Sequence, residues 1–74
     1  MAADDLRQRY ERVLLSKLRD TKYPSATMLD RIEASITDRE TAERYVNELI
    51  DRLEGDRYPS PPMIDRVRTL LGRL

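Results

Sequence analysis

Apolar residues recur along this chain at the spacing of helix faces, and nowhere do they alternate as in a half-buried strand. They fall at Leu6, Tyr10, Val13, Leu14, Leu15 and Leu18, then at Met28, Leu29, Ile32 and Ile36. A third set is Ala42, Tyr45, Val46, Leu49, Ile50 and Leu53, and a fourth is Met63, Ile64, Val67, Leu70, Leu71 and Leu74. Steps of three and four residues place each set on one side of a helix. The pattern predicts helices at about 4–19, 25–36, 38–54 and 60–73.

The boundaries carry their own signals. Asp4 and Asp5 suit a helix N-terminus. At Tyr23-Pro24-Ser25 the residue before Pro is pushed out of the helical region, and Ser25 can cap the amides that follow. Tyr58-Pro59-Ser60 repeats the signal and adds Pro61 at the first helical position, where a missing N–H is harmless. Thr37-Asp38-Arg39-Glu40 has the spacing of a capping box with Thr37 as cap, and Gly55 suits a left-handed stop.

Residues 9–36 laid over 44–71, an offset of 35, match without a gap at ten of 28 positions. The identical pairs are Arg9/Arg44, Tyr10/Tyr45, Leu14/Leu49, Leu18/Leu53, Tyr23/Tyr58, Pro24/Pro59, Ser25/Ser60, Met28/Met63, Asp30/Asp65 and Arg31/Arg66. Self-similarity at a fixed period means one supersecondary unit used twice. The expected fold is therefore all-α: a single domain of two tandem helical hairpins, unit one about 2–36 and unit two about 37–74, forming a four-helix bundle. Tetratricopeptide and pentatricopeptide solenoids have a similar period. Here the resemblance ends, because the chain has no Trp, two units fall short of the three a solenoid usually needs, and neither end reads as a polar cap.

Composition narrows the chemistry. The 74 residues include no Cys and no His, which removes disulfides, thiolate or imidazole metal sites and His-based catalytic dyads. Fourteen basic residues balance fourteen acidic ones, so the chain as a whole lacks the footprint of a nucleic-acid or anionic-membrane binder. The distribution is uneven: residues 1–36 sum to +1, 37–56 to −4 and 57–74 to +3. No signal-peptide h-region and no apolar run of spanning length occurs, so a cytoplasmic location without membrane association is expected.

Asp30-Arg31 and Asp65-Arg66 are the one repeated charged pair, and two carboxylates could serve as acid and base or hold a cation. Each Asp stands beside an Arg at the same repeat position, which fits structural pairing better. No catalytic residue, cofactor, metal or small-molecule substrate is expected. Tyr23 and Tyr58 are expected to lie over the hairpin ends, as do Met28 and Met63 one turn further on, with partner contact as the alternative role. The C-terminal arginines Arg57, Arg66, Arg68 and Arg73 would serve a small helical nucleic-acid-binding regulator, the rival reading. Their split about the apolar seam of the fourth helix argues against it.

The two copies differ where function would show. Leu6 and Val13 of the first helix stand where copy two has Thr41 and Glu48; Leu70 replaces Ser35, and Leu74 stands where copy one has Arg39. The first and fourth helices thus carry apolar surface that the second and third lack. Leu6, Val13, Leu70 and Leu74 are expected to form one apolar surface, closed within the chain or against another chain. The expected role is that of a small interaction module, an adaptor, scaffold or regulatory subunit, whose partner is another protein or a second copy in a homodimer.

Overall fold

A computed structural model describes residues 2–74. The described residues form four helices and no strand: α1 (Ala3–Asp20), α2 (Ala26–Ser35), α3 (Arg39–Gly55) and α4 (Pro61–Arg73). The chain divides into two compact units, Met1–Thr37 and Asp38–Leu74. Within the first, α1 lies against α2; within the second, α3 lies against α4.

Local chemistry accounts for most helix ends. α1 starts without a side-chain cap, but Asp4 and Asp5 in its first turn oppose the positive end of the helix dipole. At its other end the Thr21 hydroxyl donates back to the Lys17 carbonyl at 2.7 Å. Ser25 caps α2 by accepting the Met28 N–H at 3.0 Å, and Ser60 caps α4 by accepting the Met63 N–H at 3.3 Å. Both caps have extended backbones, so the two Tyr-Pro-Ser turns resolve the same orphan amide in the same way.

Two boundary expectations are corrected. Asp38, not Thr37, caps α3, its carboxylate accepting the Thr41 N–H at 3.0 Å. Thr37 is engaged elsewhere: its N–H and its hydroxyl both donate to Glu11 Oε1, at 2.7 and 3.0 Å. An Asp one residue nearer the helix is as good a cap as Thr, and the buried carboxylate needs the donors that Thr37 supplies. Gly55 does not end α3 with a left-handed turn, since no residue of the described chain has positive φ. Asp56 closes the helix in an extended conformation, donating its N–H to Arg52 and Leu53 carbonyls, and the chain runs on toward Tyr58-Pro59.

The buried apolar side chains of the first unit are Leu15, Leu18, Leu29 and Ile32; those of the second are Tyr45, Val46, Leu49 and Val67. Glu11 is the one buried charged residue among the described residues. Its carboxylate is tolerated there because two donors satisfy it, and in doing so it ties the exit of α2 to the middle of α1.

Candidate interaction surface

Leu6, Tyr10 and Val13 lie four and three residues apart on α1 and, at 100° per residue, within about 60° of one another around the helix. Their exposures are 50, 54 and 46%. The buried side of α1, around Glu11, Leu15 and Leu18, faces elsewhere, with half-buried Leu14 between the two arcs. The wide apolar face read from the sequence is therefore real, but only part of it is covered. Exposed Arg9 and Lys17 flank the open line.

The fourth helix has its own open line. Ile64 and Leu71, seven residues apart, are 45 and 51% exposed. Val67 is buried, Met63 and Leu70 are half-buried, and Leu74 is exposed at the chain end. Of the residues expected to form the apolar surface, Leu6, Val13 and Leu74 are thus open and Leu70 is half-covered. Tyr10, Ile64 and Leu71, which lie on the apolar faces read from the sequence, belong with the open residues too. Their spacing marks their faces; it does not say which faces a neighbour covers.

Tyr23 and Tyr58 also depart from the hairpin-core expectation. Both rings stand in solvent, each beside the cation before it: Lys22 Nζ lies 5.6 Å from the Tyr23 ring centroid and the Arg57 guanidinium 5.9 Å from that of Tyr58. Proline disfavours the helical region for the Tyr before it, and the preceding cation sits by each ring. Met28 and Met63 are half-buried.

The remaining candidates are spread along the chain. Asp30 and Asp65 are both exposed, and among the described residues no three acidic side chains are grouped to hold a metal ion. Of the C-terminal arginines, Arg57, Arg68 and Arg73 are exposed and Arg66 is half-buried. On α3, Arg39 pairs with Glu43 at 3.2 Å and Arg44 with Glu40 at 2.8 Å, both in solvent. Glu48 and Arg52, at the same i to i+4 spacing, pair at 3.4 Å with both side chains largely withdrawn from water. No described helix is long and apolar enough to cross a membrane.

The chain matches no protein-family model, no curated protein and no solved structure.

Proposed function

We propose that this chain, built on a tandem duplication of one helical hairpin, is a protein–protein interaction module that acts by binding rather than by catalysis, as an adaptor, scaffold or regulatory subunit. The observation that carries the reading is the line Leu6, Tyr10 and Val13. Three large apolar side chains, each about half exposed and all on one side of α1, form a patch rather than the scattered exposed residues any surface carries. A Tyr at the centre of such a line has the amphipathic, low-entropy side chain that interfaces favour. The flanking Arg9 and Lys17 supply a polar rim with aliphatic stems.

A photo-crosslinking residue placed at Tyr10 tests this in the source cell. A protein adduct is expected from position 10 and not from exposed Asn47 of α3, and its yield should hold between about 50 and 200 mM salt, where a phosphate-driven contact would weaken steeply. No adduct at Tyr10, or the same adducts at both positions, would overturn the reading.

A further inference from the structure

The first and third helices manage their cations differently. α3 carries Arg39, Arg44 and Arg52, and each pairs with a glutamate one turn away, Glu43, Glu40 and Glu48 respectively. Between Leu6 and Arg19, α1 carries five cations and a single acid, Glu11, which is buried and held by Thr37. None of those five makes an ion pair among the described residues. Val13 and Lys17 stand 35 residues before Glu48 and Arg52, so the residue that extends the apolar line also leaves Lys17 without the carboxylate that Arg52 has. At 100° per residue, Lys17 continues the Leu6/Tyr10/Val13 line, and Arg7 and Arg9 border it on opposite sides, all three exposed.

We propose that the Leu6/Tyr10/Val13 line docks an amphipathic helix of another protein whose apolar seam is bordered by Asp and Glu. This rests on the interaction-module reading and names the partner's chemistry. An apolar line at i, i+4 and i+7 is half of a helix–helix seam, and a second helix laid along it brings its own border residues beside Arg7, Arg9 and Lys17. Acids there supply the counter-charges that α1 lacks, whereas cations there are repelled. The chain's own helices fit this place poorly. α3 is acidic, but its apolar residues Tyr45, Val46 and Leu49 are already buried. α4 has an open line, Ile64 and Leu71, but exposed Arg68 stands beside it, so a second copy docked there would set cation against cation. The apolar line holds the complex and the cations choose it, so affinity changes only a few-fold between about 50 and 200 mM salt.

Two synthetic peptides of about 18 residues, long enough to hold a helix, serve as probes. Both carry the same leucine seam; Glu borders it in one and Lys in the other. Titrated into the isotope-labelled chain, the Glu peptide should move the amide signals of α1 from Leu6 to Lys17, and the Lys peptide should bind at least about tenfold more weakly. Tyr10→Ala should weaken the Glu peptide by about tenfold or more. The double change Arg9→Glu with Lys17→Glu should reverse the order of the two peptides. Circular dichroism checks that this variant keeps its helix, and Arg9→Gln with Lys17→Gln, which should abolish the preference, replaces it should the helix be lost. Four outcomes would overturn the proposal: equal affinity for the two peptides, binding of neither, a charge-reversed variant that still prefers Glu, or tighter binding to vesicles of anionic phospholipid than to the Glu peptide. If the crosslinker at Tyr10 meanwhile traps a protein segment without an excess of acids, the acidic-partner proposal fails while the interaction-module reading stands.

Discussion

The first helix and the third start from the same pattern and end in different surroundings. At the position of Tyr10 and Tyr45 the same residue is half exposed in one and buried in the other; at the next position α1 buries Glu11 where α3 buries Val46. Leu6 and Val13 are open on α1, whereas the residues 35 positions on, Thr41 and Glu48, are half-buried on α3. A repeated pattern therefore specifies which sides of a helix can be buried, and the neighbours decide which of those sides are.

The sharpest way to break this comparison is to truncate the tyrosine at each of these two positions. Tyr45→Ala removes a fully buried ring and should cost about 3–5 kcal/mol, comparable to the whole stability of a chain this small, so the variant should be largely unfolded at room temperature. Tyr10→Ala should change stability by no more than about 0.5 kcal/mol when measured on dilute monomer. Thermal melts followed by circular dichroism read both. Equal losses would show that Tyr10 is covered in the monomer and that the open line does not exist.

An exchange between adjacent positions sharpens the point. Val46→Glu gives α3 the residue that α1 has at Glu11 but not Thr37, whose N–H and hydroxyl satisfy Glu11. An unpaired buried carboxylate should cost about 3 kcal/mol or more. Glu11→Val removes the buried charge and leaves an apolar side chain, and exposed Thr37 can turn its N–H and hydroxyl to water, so its effect should stay within about 1 kcal/mol. Urea titration of the two variants gives the ratio. A Glu11→Val loss as large as that of Val46→Glu would mean that the Thr37 tether is a main support of the first unit.

How much of this was legible in the sequence follows from the range of each interaction. The helices and their order rest on local rules: the spacing of apolar residues, prolines that cannot continue a helix, and serines three residues before the amides they cap. Each acts within a few positions, and each was readable. The burial of Glu11 depends on Thr37, 26 residues away, and has no local signal. The same distant demand displaced the expected cap of α3 from Thr37 to Asp38. Tyr23 and Tyr58 recur at the same repeat position, as core residues would, yet both rings stand in solvent, so recurrence by itself does not mark the core. The open line on α1 was half legible: the excess of apolar width was visible in Leu6 and Val13, but the choice of which part of the arc stays uncovered is made by the helix that packs there.

The smallest effect separates two ion pairs of the same spacing on α3. Glu40–Arg44 lies in solvent, where Coulomb attraction is weakened by water and further by salt, so Glu40→Gln should cost about 0.3–0.5 kcal/mol at low ionic strength. At 1 M salt the Debye length falls to about 3 Å, and that difference should vanish. Glu48 and Arg52 pair with most of both side chains out of water, where ions of the solvent reach them less. Glu48→Gln removes an ion pair from a partly dry place, and the loss of about 1 kcal/mol should persist at 1 M salt. Thermal melts of the two variants and the parent at low and high salt make the comparison. If the Glu48→Gln difference is erased by salt as fully as the Glu40→Gln difference, the line of α3 through Thr41, Tyr45 and Glu48 is wetter than its burial indicates. The contrast with the open line of α1 then shrinks to Tyr45 alone.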